Sequence, residues 1–341
     1  MEPAVDYWEF FAGEARRAGA PLYEKLSLAV GGDEVLRQFA TAVRAGQPPA
    51  NILFGAVHFL LLQGAEHPLR NFYRNLGGTA QGDPVPVFRD FVRRHREELA
   101  PIMASRVTNT NEVARSALLA PAFRVVAQEA GEPLHLIEIG PSAGFNLAWD
   151  RYSVRYHRNG AVFPCELADA DLTIDCALRG DKTPPHGRAP QVASRIGLER
   201  SPVDLADPGQ RDWLRALVWP DQIDRFARLD KAIAAALRSP RPIRAGDALA
   251  LLPEALAAAP EHEAVCVYHS LVLYQFSDEM REAFAAMLLM ASLRRPVWRV
   301  SLESTLKGEC PLLIYSYRDG SRTKRQLARC NSHGEWIEWL A

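Results

Sequence analysis

Apolar positions along the chain change their period near residue 134. Before it they recur at three- and four-residue intervals, the mark of helices packed on one face. Val35, Leu36, Phe39, Ala40 and Val43 form one such face behind Asp33, which is placed to cap it. Tyr7, Trp8, Phe10 and Phe11 open an aromatic helix ahead of it. Pro48 and Pro49 break the chain before an apolar helix over 50–64. The Gly77-Gly78 to Pro86 stretch reads as a loop. It leads into a helix with Val87, Phe88, Phe91, Val92, His95 and Leu99 on one side. No β run is expected before residue 130. From Leu134 the pattern becomes short apolar runs. Leu134–Ile139 ends in Gly140 and predicts a buried strand entering a tight turn, with residues 145–150 helical. Ala264–Tyr268, Val297–Leu302 and Leu312–Tyr317 repeat the strand signal. Helical patterns lie at 209–218, 221–238 and 278–293. Strands alternating with helices predict an α/β fold with a largely parallel sheet covered on both faces.

These patterns divide the chain into a helical N-terminal domain, 1–130, and an α/β core, 131–341. Residues 151–190 are expected to be an irregular insertion with one or two short strands, because Pro164, Pro184, Pro185, Pro190 and several charges interrupt them. At 341 residues the chain can bury a large core without disulfide or metal staples. Lys plus Arg number 40 against 41 Asp plus Glu, a net charge of −1. That balance argues against a general nucleic-acid binder or a polybasic membrane-surface protein. The longest apolar stretch, Ile52–Leu62, is interrupted by Gly55 and His58. It falls short of the ~20 residues a membrane span needs. Cys165, Cys176, Cys266, Cys310 and Cys330 contain no C-x-x-C pair, so buried thiols in a reducing compartment are expected. With an acidic N-terminal segment lacking an apolar signal core, this favours a cytoplasmic protein. The histidines show no metal-ligand spacing, and the sequence leaves the oligomeric state open.

The most informative segment is Glu138-Ile-Gly-Pro-Ser-Ala-Gly144. It places Gly140, Ser142 and Gly144 where a strand becomes a helix. Small residues there let a ligand approach the backbone, and the helix start offers N–H donors. Glu138 sits two residues before the first glycine, where it can face a cationic or amine-bearing group. An acid followed by G-x-S-x-G resembles the first motif of class I S-adenosylmethionine-dependent methyltransferases, with Ser142 replacing the middle glycine. In that reading Ile196-Gly-Leu-Glu199 ends the second strand with Glu199 at the ribose position. It lies 59 residues after Gly140, beyond the ~20 usual in a dinucleotide fold. Arg244-Ala-Gly-Asp247-Ala-Leu-Ala-Leu-Leu-Pro253 resembles the third-strand motif, with Asp247 on the adenine side. Asp247 is equally placed to cap a helix. His269 closes the fourth strand as the candidate general base, with His333 as second choice. Tyr268 and Tyr274 are candidates to stack on adenine, with core packing the simpler role for each.

Three other readings compete. Gly140-Pro-Ser142-Ala-Gly144 also matches the nucleophile elbow of α/β-hydrolases, with Asp247 or Asp278 and then His333 in the right order. The helical lead-in and the missing His-Gly-Gly loop oppose it. A nicotinamide site lacks its third glycine, since positions 145 and 146 are Phe and Asn. A non-catalytic Rossmann-like metabolite-binding or interaction module is the third. Elsewhere, Thr108-Asn-Thr-Asn111-Glu112-Val-Ala-Arg115 reads either as a helix cap or as a pocket mouth. In the second case Asn111, Glu112 and Arg115 bind substrate and Arg115 meets a carboxylate.

Across nearly its whole length the chain resembles an uncharacterised bacterial domain-of-unknown-function family placed near class I methyltransferases. The resemblance rests on Pro49-Ala-Asn-Ile-Leu, Thr108–Arg115, Glu138–Leu147, Asp150-Arg-Tyr152, Trp213–Pro220, His269-Ser270 and His333-Gly-Glu-Trp336. Asn109 and Val107 depart from the Gln and Arg expected there. The resemblance implies a Rossmann-like class I methyltransferase sheet with an N-terminal helical domain that shapes and covers an acceptor pocket. It also implies S-adenosylmethionine as cofactor, a small or medium-sized acceptor as partner, and no metal.

Overall fold

The computed structural model describes residues 6–108, 112–305 and 309–341. Its chain divides into two compact units. One is drawn from Met1–Thr110 and Leu205–Asp230, the other from Asn111–Asp204 and Lys231–Ala341. The helix Arg115–Ala130 therefore belongs with the sheet, and Leu205–Asp230 belongs to the helical unit.

The helical unit follows its sequence pattern in part: the one helix expected through Leu99 is two, broken at His95, and a further helix spans Pro21–Gly31. Helices run over Tyr7–Arg17, Pro21–Gly31, Glu34–Ala40, Pro49–Leu62, Val85–Arg94, Arg96–Ser105 and Pro208–Ala216. Asp6, Asp33 and Asp207 each accept backbone N–H groups at a helix start, which satisfies donors that have no partner inside the helix. Phe54 lies at the centre of the core, in ring contact with Trp8, Phe11, Tyr23 and Phe88. The helix bearing it is apolar on nearly all sides because other helices surround it. Its one imidazole, His58, is buried and held at Nδ1 3.0 Å from the Ala216 carbonyl. Burial pushes its pKa down to about 4. Among the described residues no strand precedes Leu134.

The second unit is a mixed α/β layer structure around one eleven-stranded sheet. In chain order the strands are β1 (Leu134–Ile139), β2 (Tyr152–Arg158), β3 (Ala161–Cys165), β4 (Leu172–Arg179), β5 (Val192–Glu199) and β6 (Ile243–Ala245). They continue as β7 (Ala264–Ser270), β8 (Val297–Leu302), β9 (Cys310–Arg318), β10 (Ser321–Cys330) and β11 (Trp336–Trp339). Their spatial order is β3-β2-β4-β11-β10-β9-β8-β7-β1-β5-β6. β6, β5, β1, β7 and β8 are mutually parallel. β9 joins β8 antiparallel, and β9 and β10 form a hairpin. Asp319-Gly320, both at positive φ, make its two-residue turn.

β1, β7 and β8 are buried along their whole length, which explains their reading as uninterrupted apolar runs. Side chains alternate between two covered faces. Ile137, Ile139, Val265, Val267 and Val297 pack with Leu252, Phe284 and Leu288 from the helices Ala248–Ala257 and Asp278–Ala291. On the other face Phe123, from the helix Arg115–Ala130, meets the rings of Trp149 and Tyr268.

The segment expected to be an irregular insertion is instead largely regular. It supplies β2, β3 and β4, which extend the sheet at the edge far from β6. Leu172, Ile174, Cys176 and Leu178 alternate with exposed positions, the signature of a half-buried strand. Pro164 is tolerated because β3 is an edge strand. All five cysteines are buried and free. No helix among the described residues is long and apolar enough to cross a membrane.

Candidate functional site

The turn after β1 winds through three left-handed residues. Gly140, Ser142 and Gly144 have φ of +68°, +54° and +75°. Glycine is required at the first. A Cβ on Gly140 would lie 2.7 Å from Val272 Cγ2, and an L-residue would carry the left-handed strain as well. Ser142 holds such a conformation without being glycine, and unusual backbone of this kind gathers at ligand sites.

The turn is anchored by the acid at the end of β5. Glu199 Oε2 accepts the Ser142 N–H at 2.8 Å, and its Oε1 accepts the Ser201 N–H at 3.1 Å. The Gly140 N–H donates to the Leu198 carbonyl at 2.9 Å. One residue beyond Glu199, Arg200 Nη2 meets Asp247 Oδ2 at 2.9 Å. Asp247 follows β6 and caps the helix Ala248–Ala257, its Oδ1 accepting from Leu249 and Ala250. The Arg200 guanidinium and these two N–H groups hold its carboxyl below the usual range. Gly140–Gly144, Glu199 and Asp247 therefore stand at the C-terminal ends of three adjacent parallel strands.

Glu138 lies on the face of β1 covered by the helix Arg115–Ala130 and is 2% exposed. Tyr268, its register partner on β7, donates its hydroxyl to Oε2 at 2.9 Å. Burial pushes the Glu138 pKa up to about 8, against opposing pulls from the Tyr268 hydrogen bond and the Arg115 charge. Tyr268 is thus a buried core residue bonded to Glu138. Tyr274 is well exposed.

Glu112 and Arg115 are 1% and 3% exposed. Glu112 Oε1 accepts the Ala114 N–H at 3.0 Å, and its carbonyl accepts from Asn146 Nδ2 at 3.4 Å. Arg115 braces two segments: Nε donates to the Ser332 carbonyl at 2.9 Å and Nη1 to the Ser270 carbonyl at 3.3 Å. His333 Nδ1 lies 3.9 Å from Glu112 Oε2. Asn111 lies outside the described residues.

His269, expected as the general base, is buried with both ring nitrogens engaged. This ring is 0% exposed and points to the sheet face opposite Glu138, against Phe284. Its Nε2 accepts from Arg299 Nε at 3.0 Å, so Nδ1 carries the proton and donates to Glu303 Oε1 at 2.6 Å. Burial, the leading cause, lowers its pKa. Both ring nitrogens are committed, and the imidazole forms part of a strut. Glu303 extends that strut by accepting the Val272 and Leu273 N–H groups, and Val272 is the residue packed on Gly140. Glu303, Arg299 and the pairing of Tyr268 with Glu138 were not identified from sequence. An acid directly after the apolar run of β8, as Glu138 lies near the end of β1, is the signal that marks Glu303.

The hydrolase arrangement fares no better. Asp247 caps a helix, Asp278 pairs with Arg281, and His333 stands beside Glu112. Among the described residues no group of three or more His, Cys, Asp or Glu side chains is placed to hold a metal ion.

No curated protein matches the sequence. The chain is similar to the crystal structure of Streptomyces venezuelae DesVI at 11% identity and a TM-score of 0.24, over 76% of this chain and 82% of that one. It is also similar to the sugar N-methyltransferase KedS8 from a Streptoalloteichus species, at 11% identity and a TM-score of 0.23, over 73% and 78% respectively. Matched to the family over residues 6–339, the chain belongs to the uncharacterized proteins conserved in bacteria designated DUF2332.

Proposed function

We propose that the sheet unit binds S-adenosylmethionine along the C-terminal ends of β1, β5 and β6 and catalyses methyl transfer to a small or medium-sized acceptor. The order β6-β5-β1-β7-β8 is the third-second-first-fourth-fifth order of a Rossmann-like sheet. Such sheets take ligands outside the strand ends, where the order reverses, here between β1 and β7. The observation that carries the reading is the Glu199–Ser142 hydrogen bond. It makes the second-strand acid and the glycine turn one assembly, continued to Asp247 through Arg200.

The residues present fit the cofactor. Gly140 and Gly144 keep the turn free of side chains. An ionised carboxylate offers about four lone-pair sites, and Glu199 spends two on backbone N–H groups, which leaves capacity for ribose hydroxyls. Asp247 faces the adenine edge while capping its helix. Glu138, on giving up the proton that burial keeps on it, supplies negative charge toward the methionine amine. Ser142 contributes backbone rather than a nucleophile. Glu112 and Arg115 line the acceptor side, and Asn111 is assigned there from the sequence alone. The bound sulfonium supplies an activated methyl group, so the protein's contribution is mainly positioning.

Calorimetric titration with S-adenosylmethionine and S-adenosylhomocysteine tests this. Micromolar binding is expected, weakened about tenfold or more in Glu199→Ala and Asp247→Ala, the size of one lost charged hydrogen bond. No heat and no thermal shift at millimolar ligand would refute it. The engaged ring of His269 favours one alternative, a module that binds a metabolite without turnover. That reading predicts binding with no methylated product from any acceptor.

A further inference from the structure

With His269 committed to its strut, the acceptor side needs another proton-accepting group. We propose that His333, oriented by the buried carboxylate of Glu112, is that base. The inference rests on the methyl-transfer reading above. His333 lies between β10 and β11, and its side chain is 40% exposed while that of Glu112 is 1% exposed. Glu112 spends Oε1 on the Ala114 N–H, which turns Oε2 toward His333 Nδ1 at 3.9 Å. At that separation the two form an ion-pair contact and no hydrogen bond, and contacts at catalytic groups often tighten only when ligand binds.

The two segments are fastened on both sides of this pair. Arg115 Nε holds the Ser332 carbonyl at 2.9 Å. Gly334, at φ +77°, lies so close to Ala114 that a Cβ would fall 2.3 Å from its carbonyl oxygen. The pair is also tied to the strand ends. Asn146, two residues after Gly144, holds the Glu112 carbonyl, and Arg115 holds the Ser270 carbonyl at the end of β7. The segment that carries His333 is thus tied through Arg115 to the end of β7. Among the described residues, Glu112 is the acid that meets the imidazole from the opposite segment, and Arg115 lies on the helix beside Glu112. Glu335, on its own segment, has its carboxylate engaged by Asn331 Nδ2 at 2.9 Å.

A carboxylate behind Nδ1 fixes the tautomer, directs Nε2 away from Glu112, and stabilises the imidazolium once formed. The acceptor class is then an oxygen or nitrogen nucleophile that carries a proton. Its lone pair forms the bond to the methyl carbon. The carbon–sulfur bond breaks with its electron pair left on sulfur, and the acceptor's proton passes to Nε2 of His333.

The test uses the full-length protein, diethyl pyrocarbonate and mass spectrometry. Neutral, accessible imidazoles react, so reactivity against pH gives each histidine's midpoint. Buried His58 and His269 serve as unreactive controls and exposed His262 as the reference. His333 is expected to react, to titrate above His262, and to be shielded by saturating S-adenosylhomocysteine. In Glu112→Gln its midpoint should fall by about one pH unit, a tenfold change in proton affinity. An unreactive His333, a midpoint at or below that of His262, or an unchanged midpoint in a folded Glu112→Gln overturns the proposal. The wild-type comparison decides even if that variant does not fold. Failure of the wild type to bind S-adenosylhomocysteine is a separate result, and it removes the cofactor reading itself.

Discussion

Replacing Glu138 with Gln should stabilise the protein in alkaline solution and leave it nearly unchanged near pH 5. The buried carboxyl has a pKa of about 8 in the fold against 4.5 in the ordinary state. Between those values the native protein holds a proton that the unfolded chain releases, so stability falls as pH rises through the window. A tenfold difference in proton affinity corresponds to about 1.4 kcal/mol, giving a cost of roughly 5 kcal/mol above pH 8. Gln has nearly the same volume, accepts the Tyr268 hydroxyl through its amide oxygen, and carries no titrating proton. Urea unfolding of wild type and Glu138→Gln, followed by circular dichroism from pH 5 to pH 9, measures the difference directly. It should widen steadily in favour of Gln and level off past pH 8. A gap independent of pH would refute the argument, as would a Gln variant less stable in alkali. The latter would mean that Arg115 holds Glu138 as an ion pair rather than burial holding it neutral.

Other outcomes follow from the same geometry. If a cofactor amine settles on Glu138, binding must expel that proton. Affinity for S-adenosylhomocysteine should then rise about tenfold per pH unit below pH 8 and flatten above it, a dependence that Glu138→Gln abolishes. Gly140→Ala should cost clearly more than Gly131→Ala in thermal unfolding. Both residues sit near φ +68°, at a left-handed cost of about 1–2 kcal/mol, but only the Gly140 methyl meets Val272. Glu303→Ala strips acceptors from His269, Val272 and Leu273 together and should destabilise by about 3–5 kcal/mol in urea unfolding. Asp247→Ala should lower stability by about 1 kcal/mol, as a lost helix cap does, so a binding defect in that variant reports the site rather than the fold.

The strands plainest in the sequence were those buried on both faces. β1, β7 and β8 announce themselves as apolar runs because no position on them meets water. β10 begins Ser-Arg-Thr-Lys-Arg-Gln and is exposed through that half, so it carries no apolar pattern to read. β2 and β4 do alternate, but prolines and charges nearby mask a sheet edge that tolerates both. The positions of Glu199 at the end of β5 and of Asp247 just after β6 were readable from the short strands before them. The burial of His269 against Phe284 was not legible, for a simple reason. One step along a strand reverses the face, and sequence position alone does not show which face holds ligand and which holds Phe284 and Arg299.

The placement of β11 carries a consequence for biosynthesis. Among the described residues, β2, β3 and β4 join the remaining strands only through this four-residue strand, which lies between β4 and β10. It is also made after the ten other strands of this sheet. A nascent chain that has already emerged through β10 therefore holds its sheet in two separate pieces, each with an open edge exposed to stray pairing. Closure waits on Trp336–Trp339, so deleting these residues should leave a protein with intact glycine turn and strand-end acids that nevertheless aggregates as it is synthesised.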